Sequence, residues 1–220
     1  MKNDLTEIVF ILDRSGSMHM LEKDTIGGFN AFLESQKKVE GKALMTTVLF
    51  DDQYELLYSG RNIQEVKALT AREYFTRGST ALLDAIGKTI TDVGQRLKET
   101  PEDQRPSKVL FMITTDGYEN ASRKYTYKAI NDLITQQREK YSWEFIFMGA
   151  NIDAAQEAVN LGIDPRNARR FDGSAKDVQE LYGLAENVVS AYRNSDGKDD
   201  TWKFELSKNT KGEDGQDESN

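Results

Sequence analysis

Three runs with almost no polar interruption stand out along the chain: Ile8 to Leu12, Val109 to Thr114, and Phe145 to Met148. They do not alternate with polar residues, the pattern of strands buried on both faces in a helix-covered parallel sheet. Met45 to Phe50 and Tyr54 to Tyr58 add two more strands. The short Asp51-Asp52-Gln53 link between them predicts a hairpin, and so an antiparallel edge. Ala168 to Phe171 reads as a last short strand. Between the strands, apolar residues recur at steps of three and four. Ile26, Phe29 and Leu33 share one helical face, and Leu82, Ile86, Ile90, Val93 and Leu97 another. Ile130, Leu133 and Ile134 repeat the pattern, and Ala154, Ala155, Ala158 and Val159 give a small-residue version that stops at Gly162. Val178, Leu181, Ala185, Val188 and Tyr192 form the clearest stripe, opened by Ser174 with Asp177 at capping-box spacing.

Strands alternating with helices predict an α/β fold: a doubly wound, mostly parallel central sheet with one antiparallel edge strand and helices on both faces. At 220 residues the chain suits one such domain, expected over 1–195. The turn-rich stretch Asn194 to Asp200 marks its boundary with a polar, acidic C-terminal tail, 196–220. Trp202, Phe204 and Leu206 alternate, which predicts a short strand or docking segment over 201–206. From Asn209 onward there is no core residue, and disorder is expected.

Charge and composition exclude several functions. A net charge of −8 argues against general nucleic-acid binding, which needs clustered Lys and Arg. The chain has no cysteine, so disulfides, thiolate zinc sites and cysteine nucleophiles are ruled out together. His19 is the only histidine, which leaves no multi-histidine metal site. The N-terminal residues carry no secretion signal and no stretch is long enough to span a membrane, so a cytoplasmic protein is expected.

What remains is oxygen chemistry at the strand ends. Ligands of open α/β sheets bind beyond the carboxyl ends of the strands, where the strand order reverses. Asp13-Arg14-Ser15-Gly16-Ser17 follows the first strand, Asp116 follows Val109 to Thr115, and Gly78-Ser79-Thr80 precedes the Leu82 helix. Folding would bring two carboxylates (Asp13, Asp116) and three hydroxyls (Ser15, Ser17, Thr80) to one rim. Mg²⁺ takes such hard oxygens at about 2.1 Å and keeps several waters. Taken singly, each piece has a plainer reading. Asp13 suits an Asx turn, Thr80 or Ser79 a helix cap, and Asp116-Gly117 a turn. Arg14 suits a packing or salt-bridge role, Tyr118-Glu119-Asn120 a solvated loop, and His19 an exposed helix residue.

The three motifs in order, Phe10-Ile11-Leu12-Asp13-Arg14-Ser15-Gly16-Ser17-Met18, Gly78-Ser79-Thr80-Ala81-Leu82 and Thr114-Thr115-Asp116-Gly117, resemble those of the von Willebrand factor A (integrin I-like) domain. The resemblance extends over about residues 5–193 and fills every position of the family's metal-ion-dependent adhesion site. It implies Mg²⁺ or Mn²⁺ held by Ser15 and Ser17, with Asp13, Thr80 and Asp116 bound directly or through water. It also implies a protein partner whose Asp or Glu completes the coordination. Some members change affinity by moving the last helix, here the Ser174 to Arg193 helix. The expected function is therefore metal-dependent protein binding, without catalysis, nucleic acid or membrane. Two alternatives stand beside it: a Mg²⁺-dependent phosphoryl hydrolase with Asp13 as nucleophile, and a scaffold whose metal is purely structural. Against the hydrolase, Ser15 stands where a second acidic residue is expected, and there is no phosphate-binding or dinucleotide glycine loop.

Overall fold

A computed structural model describes residues 4–150, 152–196 and 200–207. Six strands form one sheet: β1 (Leu5–Asp13), β2 (Lys42–Phe50), β3 (Tyr54–Asn62), β4 (Lys108–Thr115), β5 (Glu144–Ala150) and β6 (Ala168–Phe171). The helices are α1 (Glu22–Gln36), α2 (Leu82–Glu99), α3 (Tyr127–Tyr141), α4 (Ala154–Leu161), α5 (Ala175–Asn194) and α6 (Lys203–Ser207). The strand order is β3-β2-β1-β4-β5-β6. All neighbours are parallel except β2 and β3, which form the expected antiparallel hairpin. The order reverses between β1 and β4, so the carboxyl ends of these two strands flank the switch point.

The middle stretches of the central strands are apolar on both sides because each face of the sheet has its own core. Ile8, Phe10 and Leu12 point to one side with Leu110, Met112, Ile146 and Met148, and meet α1, α5 and α6. Val9 and Ile11 point to the other with Phe111, Ile113, Phe145 and Phe147, and meet α2, α3 and α4. On the first side the Phe10 ring meets Phe29 and Phe32 edge-on, at 5.5 and 5.0 Å. On the second, Phe111 stacks on Trp143 and Phe145. Each such side chain removed from water stabilises the fold by about 1.5–3 kcal/mol.

The helix ends follow their sequence signals. Ser174 Oγ accepts the Asp177 N–H (3.1 Å) at the start of α5. Gly162 ends α4 in the left-handed region, at φ +83°. The segment after the Asn194 to Asp200 stretch is helical, not a strand. Trp202 and Leu206, one turn apart, are buried in the first core, while Phe204 points outward. Alternation over five residues does not separate these conformations, since i and i+4 also share a helical face. The tail from Asn209 onward, where disorder is expected, lies outside the described residues. Among the described residues no helix is long and apolar enough to cross a membrane.

Candidate metal centre

Beyond β1 the chain makes one further sheet bond, Arg14 N–H to Phe50 O (2.8 Å), and then turns. Asp13 makes the turn: its Oδ1 accepts the Ser15 N–H at 2.6 Å. The plain Asx-turn role of this aspartate is thus realised, and it is what aims Ser15 and Ser17 at the rim. The Gly78 loop is fastened against this turn by Gly16 N–H to Gly78 O (3.1 Å) and Arg77 N–H to Arg14 O (2.9 Å). Gly78 has φ +66°, and a Cβ there would lie 2.2 Å from Asp52 Oδ1, so only glycine fits.

The five oxygen-bearing side chains meet at the switch point. Ser17 Oγ donates to Asp116 Oδ1 at 2.6 Å, joining the ends of β1 and β4. Ser15 Oγ and Ser17 Oγ are 3.1 Å apart. A Cβ on Gly117 would lie 3.7 Å from Ser17 Oγ and 3.8 Å from Thr80 Oγ1, so both hydroxyls border the start of the Asp116 loop. Asp13 is set deeper: its Oδ2 accepts the Thr115 hydroxyl (2.6 Å) and its backbone O the Tyr74 hydroxyl (2.5 Å). Asp13, Ser15 and Thr80 are buried, Asp116 nearly so, and Ser17 is exposed.

Burial pushes the Asp13 carboxyl up to about 6, although the bonds from Thr115 and Ser15 favour its charged form. Burial also raises Asp116, against the opposing bond from Ser17. Two carboxylates held out of water with mainly hydroxyls for company lack a positive charge, and a cation at this point would supply it. Among the described residues no three His, Cys, Asp or Glu side chains converge. The available donors are two carboxylates and three hydroxyls, an all-oxygen set suited to Mg²⁺ or Mn²⁺ and lacking the nitrogen and sulfur that other metals favour.

Around these donors Arg14 takes the packing and salt-bridge role its position suggested, while other supporting residues had no signal in the sequence. Arg14 is fully buried. Its Nε bonds Asp51 Oδ2 (3.0 Å), one Nη reaches Glu55 Oε2 (2.7 Å), and its guanidinium lies 5.4 Å from the Phe75 ring centre. Burial opposes the Asp51 charge, yet Arg77, the Gln53 N–H and Arg14 outweigh it and hold this carboxyl low. Neither Thr80 nor Ser79 caps α2. The cap position is Ala81, with no side-chain bond. The Asp116 loop does the capping: Glu119 Oε2 accepts the Leu83 N–H (2.9 Å) and Ser122 Oγ the Asp84 N–H (3.0 Å). Asn120 Oδ1 accepts the Thr80 N–H (2.9 Å), so Glu119 and Asn120 brace the site where a solvated loop was expected. Tyr118 is exposed, its hydroxyl accepting the Asp153 N–H (3.2 Å). His19 is exposed as expected, and its ring lies 3.3 Å from Thr76 Oγ1.

The sheet order, the antiparallel edge and the helices on both faces define a von Willebrand factor A fold, and solved structures with the same fold bear this out. Proximal thread matrix protein 1 from the mussel byssus superposes with a TM-score of 0.61 at 13% identity, over 84% of this chain and 46% of that one. The ArnB paralog VWA2 from Sulfolobus acidocaldarius gives 0.53 at 17% identity, over 84% and 45%. The pilus adhesin SpaC from Lactobacillus rhamnosus GG, in its open conformation, gives 0.63 at 12% identity, over 87% and 30%. The chain thus spans less than half the length of each of these proteins. A further structure of the byssus protein has a zinc-occupied MIDAS motif (TM-score 0.59, 14% identity, 84% and 46% covered). No family model and no curated protein matches the sequence.

Proposed function

We propose that this chain is a metal-dependent protein-binding module. In this reading a Mg²⁺ or Mn²⁺ ion is held by Ser15 and Ser17, with Asp13, Thr80 and Asp116 bound directly or through water. The observation that carries it is the 2.6 Å bond from Ser17 to Asp116, which brings the two strand-end loops to one point beside the Thr80 and Ser15 hydroxyls. The ion supplies a Lewis-acidic position for a carboxylate, and the partner protein supplies that carboxylate from an Asp or Glu. The zinc-occupied motif in the byssus protein supports metal binding, and the occurrence of the same fold in a pilus adhesin is in keeping with an interaction role.

Binding is favoured over turnover by the setting of Asp13. Both of its carboxylate oxygens are taken by Ser15 and Thr115, and the side chain has no exposed surface from which to attack a phosphoester. The domain is assigned to 1–195, with 196–220 as an acidic tail whose 201–206 segment docks back on the first core through Trp202 and Leu206. A cytoplasmic location goes with this reading, as a chain without cysteine draws nothing from an oxidising compartment.

The test uses calorimetric Mg²⁺ titration and affinity capture in parallel. Asp116→Ala, and the pair Ser15→Ala/Ser17→Ala, should abolish Mg²⁺ binding with the circular dichroism spectrum unchanged. Partner captured from native lysate with Mg²⁺ should be released by EDTA. Undiminished metal affinity in those variants would overturn the site, and capture that survives chelation would place the interface elsewhere.

A further inference from the structure

A groove of about 660 Å³ opens beside the metal loops, between the β2–β3 turn, the first turns of α2 and the segment that follows Asp116. Asn120, which braces Thr80, forms part of its wall, so the groove and the proposed ion share a boundary. Its floor includes Phe50, Ala81 and Ala85. Six charged side chains line it, and most are already engaged. Asp51 is held by Arg14 and Arg77. Asp84 accepts the backbone N–H groups of Arg123, Lys124 and Tyr125 at 3.0, 2.9 and 2.9 Å. Lys88 pairs with Asp92 (2.7 Å) and lies over the Tyr54 ring. The Asp52 charge acts on Arg77.

Arg123 and Lys124 are the two left over. Both are exposed, both line the groove, and neither makes a salt bridge among the described residues. Asp84 holds them there by their backbone and is also attracted by the Lys124 charge, but its carboxylate bonds go to amides and neither cationic side chain is in a salt bridge among the described residues. The lining carries three carboxylates (Asp51, Asp52, Asp84) and three cations (Lys88, Arg123, Lys124), and Arg123 and Lys124, the exposed cations outside any salt bridge among the described residues, form its attractive corner for an anionic group.

Resting on the metal-dependent reading above, we infer that the groove receives a second acidic side chain of the same partner segment. The partner is then a diacidic stretch: one carboxylate on the ion, and another drawn to Arg123 and Lys124. The ion gives the strong directional bond, and the basic wall selects among acidic segments.

Two peptide series test this by amide chemical-shift titration of the labelled protein. One has Asp and Glu separated by one to four glycines, and its control has Gln in place of Glu. In Mg²⁺ the control peptides should shift the Ser15 to Ser17 and Gly117 amides, and in EDTA they should not. At one or more spacings the diacidic peptide should bind about fivefold tighter, the factor expected of exposed charge pairs. It should also shift the Asp84, Arg123 and Lys124 amides. Arg123→Ala/Lys124→Ala should erase that gain and leave the control peptides and Mg²⁺ affinity unchanged. A control series without Mg²⁺-dependent shifts overturns the metal-dependent reading itself. Metal-dependent control binding with no diacidic gain, or a gain that survives the double substitution, overturns the groove alone.

Discussion

Replacing Arg14 by Met tests whether the loop between β1 and the site is held by its buried cation. The guanidinium is fully enclosed and bonds Asp51 at 3.0 Å, Glu55 at 2.7 Å and the Glu73 carbonyl at 3.2 Å. Breaking a buried ion pair from one side costs about 3–5 kcal/mol, because it strands the other charge. Here Asp51 keeps Arg77 (2.7 Å) and the Gln53 N–H (2.7 Å), which puts the cost at the lower end, about 3 kcal/mol. The Glu55 carboxylate is 46% exposed and adds little, since water replaces its partner. With a urea slope of about 2.5 kcal/mol per molar, Arg14→Met should lower the unfolding midpoint by about 1.2 M. Asp51→Leu should also destabilise alone, but the double variant should cost about 2 kcal/mol less than the sum, since neither charge is then stranded. A midpoint shift below about 0.4 M, or strictly additive costs, would refute the claim that this pair fixes the loop.

Asp84 should contribute acid-sensitive stability. Burial opposes its charge, but the N–H groups of Arg123, Tyr125 and Lys124 outweigh it, so its folded-state pKa is depressed. That stabilisation is complete above the unfolded carboxylate value of about 3.9 and is lost as pH falls through the lower folded value. Asp84→Asn should therefore cost more at pH 7 than near pH 2.5 in urea unfolding, and an equal cost at both would sink the assignment. Trp202→Ala should destabilise by about 3 kcal/mol, since the indole is buried against Tyr192 with ring centres 5.1 Å apart. A cost under about 1 kcal/mol would mean that α6 is not integral to the first core.

The strands were legible because a sheet with a core on each face keeps the middle of β1, β4 and β5 apolar, with polar residues such as Thr6, Glu7, Lys108, Glu144 and Thr115 confined to the strand ends. The hairpin was legible because only three residues separate β2 and β3. The five proposed ligand positions could be singled out because each lies in a loop at a strand end or just before a helix. What could not be read was how the loops hold one another. The cap of α2 comes from Glu119 and Ser122, about 36 residues away in sequence, while the nearby hydroxyls of Ser79 and Thr80 leave the helix uncapped. Asn120 fixes Thr80 across 40 residues, and Tyr74 fixes the Asp13 backbone across 61. Such bonds have no periodicity and no short spacing to betray them. α6 was half legible: burial of Trp202 and Leu206 was signalled, but two apolar residues four apart serve a strand and a helix equally.

The far end of α5 bears on whether that helix can slide relative to the site. Its last carbonyls, Tyr192 and Arg193, accept bonds from the buried Lys108 ammonium, as does Ser195 just beyond. Arg193 in turn donates to the carbonyls of Gln36, Val39, Glu40 and Gly41, at the exit of α1. A one-turn shift, about 5.4 Å, would carry the acceptors out of reach of Lys108 and Arg193 out of reach of the α1 exit. Hydrogen bonds to charged groups contribute about 1.5–3 kcal/mol each, so these contacts together outweigh a typical allosteric coupling of about 1–3 kcal/mol. The Trp202 ring packed on Tyr192 adds apolar contact that the same shift would disrupt. A binding event at the ion would have to overcome all of these to move α5 by a turn. If the proposed metal-dependent binding holds, this arrangement favours an affinity set by the rim, with α5 acting as a fixed support.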